Sequence, residues 1–167
     1  MSDGNLHEMR PDGIVHQVKL SELYQEVILD HNRNPRNYGP LPDATATAHG
    51  VNPLCGDHVT LYVKLEDDRV SDISFQGNGC AISTASASLL TEVLKGKTRR
   101  QAESLFETFH DLVTGKAPEE RPGGPSLGKL RVFAGVSEFP VRVKCATLVW
   151  HTLKAALSRI QEPVRKE

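Results

Sequence analysis

The chain has 167 residues, of which 38% are hydrophobic, and a formal net charge of -1. That length fits a single domain with one hydrophobic core. Because the charge is almost balanced, we expect no nucleic-acid partner, whose binding surface would normally carry a strong basic excess. No stretch approaches the run of about 18 apolar residues that a membrane helix needs, so we expect no membrane association.

The cysteines and the N-terminus both favour a cytoplasmic location. Three cysteines, an odd number spread widely along the chain, make a poor disulfide framework and suit a reducing compartment. Residues 1–17 lack an apolar core and carry acidic side chains, which is typical of neither a signal peptide nor a transit peptide. We interpret residues 1–18 as a flexible arm, 19–160 as a single domain and 161–167 as a C-terminal tail.

A helix is the first predicted element, since apolar residues recur at spacings of three and four after Lys19. Ser21 is a candidate N-cap, and the helix should end near Asn34, because a residue before proline avoids the α conformation. A loop rich in glycine and proline follows at 37–43. The apolar stripe consists of Leu20, Leu23, Tyr24, Val27 and Ile28.

An antiparallel hairpin is predicted next. Residues 59–65 alternate between apolar and polar side chains, two aspartates at 67–68 make a turn, and 70–75 form a second strand. A further short strand is expected within 44–49.

Helices fill most of the C-terminal half. Small and apolar residues predict a helix over 81–94, and Thr98 is a candidate cap for the next one. Residues 115–128, with three prolines and four glycines, are interpreted as an insertion loop. Pro140 suits the first turn of an amphipathic helix over 141–160. This order of helix, strands and helices predicts an α+β fold, with a small antiparallel sheet of about three strands packed against several helices.

Each cysteine lies where a predicted element begins or ends, which is where functional sites are usually built. Cys55 precedes a strand, whereas Cys80 and Cys145 lie near helix N-termini, which stabilise thiolates. Asp57 follows two residues after Cys55, and the intervening Gly56 lets the backbone fold closely enough for both side chains to reach one ion. Three thiolates and one carboxylate would complete a tetrahedral shell of the kind that zinc takes.

The residues alone leave a plainer interpretation open, because free cysteines are often small buried hydrophobes. His58 could also bind a metal, but neighbouring residues of a strand face opposite sides, so we expect it to point away from Asp57. The serine- and alanine-rich run at 83–88 indicates close helix packing, with hydroxyls bonded back to their own helix.

Four segments of the chain match motifs of a known family. Residues 23–39 resemble its N-terminal signature, and the three cysteine segments resemble its three cysteine loops, in the same order. These segments read Asn-Pro-Leu-Cys-Gly-Asp from Asn52, Phe-Gln-Gly-Asn-Gly-Cys-Ala-Ile-Ser from Phe75, and Arg-Val-Lys-Cys-Ala-Thr-Leu from Arg142. Over residues 20–157 the chain resembles the iron–sulfur cluster assembly scaffold family (IscU/NifU N-terminal-like), and most closely its SufU branch.

Two details favour the SufU branch. Lys144 stands where the IscU proteins proper have a ligand histidine before the third cysteine, and we expect its side chain to point to water. The loop at 115–128 looks like the insertion that this branch carries before its last helices. The resemblance therefore implies a SufE/NifU-like fold and a zinc-dependent sulfur acceptor.

The resemblance also implies a ligand set and a mechanism. Zinc would be held by Cys55, Asp57, Cys80 and Cys145. A SufS-like cysteine desulfurase would dock, one of its side chains would replace Cys55 on the metal, and Cys55 would accept the persulfide sulfur as the catalytic residue. Arg142, one helical turn before Cys145, is a second catalytic candidate that would hold Asp57 or steady the persulfide anion. Downstream iron–sulfur assembly proteins would then receive the sulfur.

Two other functions remain compatible with this ligand set. One is a transient scaffold that assembles a [2Fe-2S] cluster, or binds Fe2+, on the same four residues. The other is a non-catalytic interaction module that zinc merely stabilises. The sequence leaves open whether the protein is an enzyme; if it is one, we expect a zinc-dependent sulfurtransferase.

Overall fold

The computed structural model describes residues 25–116 and 126–166, with side chains up to residue 159. The expected flexible arm, the candidate N-cap Ser21 and most of the insertion loop lie outside the described residues. The first described element is helix α1, which is helical from residue 25 to residue 33. It ends one residue before Asn34, as the following proline predicts.

Three antiparallel strands form the sheet, in the order β1-β2-β3. Strand β1 spans Ala46–Asn52, β2 spans Asp57–Glu66 and β3 spans Arg69–Asn78. Buried and more accessible residues alternate along β2, because one face of the sheet packs against the helices. The three-stranded α+β fold predicted from the sequence is confirmed.

Strand β1 continues beyond the expected end at residue 49. Gly50 pairs with Val59 and Asn52 pairs with Asp57, so β1 and β2 form one long hairpin. A side chain at position 50 would collide with Thr152 of the last helix, and glycine therefore lets this strand lie close to the helix. Sequence alternation cannot reveal that contact, because it comes from a residue about 100 positions away.

Three further helices follow the sheet: α2 spans Ala81–Leu94, α3 spans Arg99–Val113 and α4 spans Pro140–Lys166. Thr98 caps α3, and its hydroxyl and the Gln101 side chain form a capping box. The end expected for α4 at Ile160 is wrong, because the backbone stays helical to Lys166. No glycine or proline interrupts the chain between Pro140 and Pro163, so nothing stops the helix earlier.

An unpredicted 3-10 helix, Gly128–Glu138, follows the insertion loop. Four of its apolar side chains are buried, and Phe133 meets Phe109 of α3 edge to face, with ring centroids 5.7 Å apart. The segment is held by tertiary packing, and its mixed spacing of apolar residues matches neither the helical nor the strand period. Its buried residues are Leu130, Val132, Phe133 and Val136.

Helix α2 packs against α4 through small side chains and a buried hydrogen-bond bridge. Ser86 donates to the carbonyl of Ala146 at 2.6 Å and accepts from the indole N–H of Trp150 at 3.2 Å. The expectation that these hydroxyls bond back to their own helix is wrong for Ser86, because the small residues bring α4 within direct reach.

Replacement of Ser86 by alanine is expected to lower the free energy of unfolding by about 1–3 kcal/mol. The reason is that the variant leaves the buried Trp150 N–H without its partner. Urea denaturation measures the loss. Thr84→Ala, at a less buried position of the same helix, is the control, and its free energy of unfolding should stay within about 0.5 kcal/mol of the wild-type value.

Ser88 also bonds away from its own helix, to the N-terminal segment. Its hydroxyl lies 2.7 Å from Nδ1 of the buried His31 and accepts from the backbone N–H of Arg36 at 2.9 Å. Burial, and next the Arg36 charge, lower the pKa of His31, so its ring is neutral at pH 7. A neutral ring can accept the Ser88 proton at Nδ1, and α1 and the following turn are thereby fastened to α2.

Candidate metal centre

A four-residue turn between β1 and β2 carries the first two candidate ligands. The two residues that flank this turn, Asn52 and Asp57, pair with each other across the hairpin. The carbonyl of Asn52 accepts from the backbone N–H of Cys55 at 3.2 Å and of Gly56 at 2.9 Å. Gly56 has φ +73°, a conformation that favours glycine, so the turn can close tightly enough to bring Cys55 back over Asp57.

Cys145 meets Cys55 from the second turn of α4. The two sulfurs are 3.5 Å apart, too long for a disulfide bond of about 2.05 Å. Around a tetrahedral ion with Zn–S bonds of about 2.3 Å, neighbouring sulfurs lie about 3.8 Å apart. The observed separation is close to that value, so both sulfurs can bind one ion.

Asp57 links the turn to Cys80 at the start of α2. One carboxylate oxygen accepts from the backbone N–H of Cys80 at 3.0 Å, and the other lies 3.8 Å from its sulfur. Asp57 is 1% exposed. The Cys80 sulfur in turn accepts from the backbone N–H of Ser83 at 3.4 Å, so it is also the N-cap of α2.

Three of the four predicted ligands lie close enough together to bind one ion. One ligand atom each from Cys55, Asp57 and Cys145 lie within 4.8 Å of one another. Cys80 lies outside that group and contacts it through Asp57, so its role as the fourth ligand stays a prediction. Three sulfurs and one carboxylate suit zinc or iron, and suit magnesium and calcium poorly because those ions prefer oxygen ligands alone.

The electrostatics of Cys145 favour a bound cation. Burial raises the pKa of this thiol above its ordinary value, and hydrogen bonding to the sulfurs of Cys55 and Cys80 raises it further. Without a nearby cation the buried sulfur stays protonated, whereas a coordinating thiol is deprotonated outright by a metal ion. Cys55 is exposed, Cys80 is intermediate and Cys145 is buried, so Cys55 is the most accessible of the three cysteines.

The other charged candidates lie outside this shell. His58 and Lys144 are exposed, as strand alternation predicts for His58 and as we expected for Lys144. No ion pair joins Arg142 to Asp57 in the part of the chain that the structure describes. The Arg142 side chain instead borders a surface cleft beside Ile82 and Phe139. A role of Arg142 towards a persulfide stays a prediction.

Two residues that contact the candidate ligands were not predicted from the sequence. Asn52 directs an amide N–H to the Cys55 sulfur, and Gly79 lies against the Asp57 carboxylate. The Asn-Pro pair before Cys55 is a turn signal that could have drawn attention to Asn52. For Gly79, the only sequence feature that could have indicated a role in the site is its position directly before Cys80.

Gly79→Ala is expected to weaken metal retention by about 10-fold or more. A Cβ at this position would lie 3.0 Å from both Asp57 Oδ1 and Ser83 Oγ, closer than carbon normally approaches, so the carboxylate must move. Retention is measured as zinc transfer to a chromogenic chelator. Gly135→Ala is the matched control, because a Cβ there meets nothing within 4 Å.

Comparison with known proteins places the chain in a family. The family model described as "NifU-like N terminal domain" matches residues 23–160. The chain belongs to this family. The NifU-like match contains all four candidate ligands and every described helix and strand except the end of α4.

Relatives of this NifU-like chain include both branches considered above. It is 43% identical over 141 residues to the iron–sulfur cluster assembly scaffold protein IscU of Streptococcus pyogenes, covering 84% of this chain and 86% of that one. It is 44% identical over 142 residues to the zinc-dependent sulfurtransferase SufU of Bacillus subtilis, covering 85% and 94%.

A solved SufU structure shares the fold of this NifU-like chain. That protein, described as an iron–sulfur cluster assembly scaffold for the SUF system of Fervidobacterium islandicum AW-1, is 36% identical, with a TM-score of 0.74. The match covers 81% of this chain and 97% of the other. Within the described residues, no helix is both long enough and apolar enough to cross a membrane.

Proposed function

We propose that this IscU/SufU-like protein is a zinc-dependent sulfur acceptor for iron–sulfur cluster assembly, and that Cys55 takes sulfur from the persulfide of a SufS-like cysteine desulfurase. The observation that supports this most strongly is the unequal exposure of the ligands. Two of the three cysteines are tied into helices, whereas Cys55 is exposed on a turn of its own. Such a sulfur can leave the ligand set while the rest of the shell stays in place.

Exposed apolar side chains close to the candidate ligands in the sequence support docking of a protein partner. They are Val51 and Leu54 on the Cys55 hairpin, and Phe139 and Val141 at the start of α4. Leu54 is 72% exposed although it precedes the proposed acceptor cysteine. Large apolar side chains clustered beside a polar site are typical of a protein interface.

When zinc is bound, it keeps the coordinating sulfurs deprotonated and shields them from oxidation. Cys55 is the residue that would leave the ligand set when a side chain of the desulfurase docks beside it, which would make its thiolate available. Its thiolate then attacks the outer sulfur of the desulfurase persulfide. A new S–S bond forms on Cys55 as the old one breaks, and the desulfurase cysteine departs as a thiolate. The proton of the persulfide travels with the transferred sulfur.

Desulfurase turnover on cysteine tests this proposal. Addition of the zinc-loaded chain should accelerate alanine release by a SufS-like desulfurase, because it removes the persulfide that blocks the next cycle. Unchanged turnover over a wide range of acceptor concentrations would contradict the proposal.

A transient [2Fe-2S] scaffold is the second candidate function. The name of the Streptococcus pyogenes relative, a cluster assembly scaffold at 43% identity, supports it. Metal analysis of the protein purified under reducing conditions separates the two. About one zinc per chain and a colourless protein favour the sulfur acceptor, whereas a coloured protein with acid-labile sulfide favours the scaffold.

A further inference from the structure

The side chain of Asn52 makes two different hydrogen bonds inside the Cys55 turn. Its carbonyl oxygen accepts from the backbone N–H of Leu54 at 3.2 Å, and its amide nitrogen lies 3.6 Å from the Cys55 sulfur. Asn52 is only 7% exposed. Its backbone carbonyl also accepts hydrogen bonds from the N–H groups of Cys55 and Gly56, so both the side chain and the carbonyl of Asn52 stabilise the turn.

The direction of the contact with sulfur follows from the backbone. The Leu54 N–H can only donate, so the Asn52 atom that faces it must be the carbonyl oxygen. The amide nitrogen is then obliged to face the Cys55 sulfur as a donor. A donor so placed binds a thiolate more strongly than a neutral thiol, because the acceptor is charged.

Asn52 also differs from the groups that hold the other two sulfurs. The donor to Cys80 is a backbone N–H of helix α2, which no side-chain substitution removes. Cys145 is fixed by its buried position in α4. Cys55 is exposed on a turn, and its sulfur, which lies 3.5 Å from that of Cys145, has the Asn52 amide as its side-chain donor.

We infer that Asn52 is a positioning residue for sulfur transfer, which holds the Cys55 sulfur in the ligand set and receives it again after exchange. This inference rests on the proposed function, since it assigns to Asn52 control over the one ligand that is exchanged. Outer partners of metal ligands commonly act in this way, and their loss lowers metal affinity about 10–100-fold.

Asn52→Asp isolates this role from a purely structural one. The aspartate keeps the size and the oxygen that accepts from Leu54, but replaces the donor to sulfur with a negatively charged acceptor. Asn52→Ala loses both bonds. Asn78→Asp is the matched control, because it introduces the same charge at an exposed position two residues before Cys80.

Three measurements on the full chain test the inference: zinc transfer to a chelator, iodoacetamide modification of Cys55 in the zinc-loaded protein, and melting of the zinc-free protein. For Asn52→Asp we expect about 10–100-fold weaker zinc retention, faster modification of Cys55 than in the wild type with that of Cys80 unchanged, and a zinc-free protein that still melts cooperatively. Asn78→Asp should retain zinc as the wild type does. Asn52→Ala should lose both zinc retention and zinc-free stability.

The inference is overturned if Asn52→Asp retains zinc as tightly as the wild type, or more tightly, and leaves Cys55 equally protected. Asn52 would then only shape the turn, and the proposed function would stand. A wild-type chain that retains no zinc would instead contradict the proposed function together with the inference.

Discussion

Cys55→Ala is expected to reduce desulfurase turnover to the rate of the desulfurase alone. The variant lacks the sulfur of the most accessible candidate ligand among the three cysteines. Cys80 and Cys145 cannot replace it, because one caps α2 and the other is buried in α4. Alanine release under saturating cysteine measures the effect, with the variant titrated over the range in which the wild type stimulates.

His58→Ala is the matched control for this prediction. His58 lies close to Cys55 in the sequence but is exposed on the opposite face of β2 from Asp57, so its variant should stimulate the desulfurase as the wild type does. Stimulation by Cys55→Ala would mean that the chain accelerates the desulfurase by binding alone. Loss of stimulation in both variants would point to a damaged hairpin rather than a missing acceptor.

Zinc removal is expected to lower the melting temperature substantially. A ligand present at 100 times its dissociation constant stabilises the folded state by about 2.7 kcal/mol. For a chain of this size that corresponds to roughly 5–10 °C. Zinc stabilises the folded state because three sulfurs and a buried carboxylate lie close together. Once ionised, these groups repel one another unless a cation lies between them.

Cys145→Ala shows whether this stabilisation arises at the proposed centre. The variant removes a buried ligand, so its melting temperature should no longer rise when zinc is added to the zinc-free protein. Calorimetric melting with chelator, and again after zinc is restored, measures both effects. A melting temperature that still rises with zinc in the variant would place the stabilising ion elsewhere in the protein.

Local sequence patterns predicted most of the fold because the elements are locally consistent. The alternation in β2, the Thr98 cap and the proline that ends α1 each act within a few residues. The 3-10 helix after the insertion escaped prediction, since side chains of α3 and not its own spacing hold it. The extent of β1 depended on the close approach of α4 at Gly50, which is likewise a tertiary contact.

The metal centre was predictable from local chemistry only in part. The spacing of Cys55 and Asp57 indicated one pair of ligands, and the family resemblance joined Cys80 and Cys145 to them. The structure brings Cys55, Asp57 and Cys145 together, and places Cys80 in contact with Asp57, by closing a hairpin and by packing α2 and α4 beside its turn. Neither event can be read from spacing, because Cys55 and Cys145 are 90 residues apart in the sequence.

The proposal that Cys55 accepts sulfur is tested most directly by locating the transferred sulfur after a single turnover. The zinc-loaded chain is mixed with a persulfide-charged SufS-like desulfurase without free cysteine, alkylated, digested and analysed by mass spectrometry. We predict one additional sulfur atom on the peptide that contains Cys55, and none on the peptides that contain Cys80 or Cys145. Additional sulfur on Cys80 or Cys145, or on no cysteine of the chain, would contradict it.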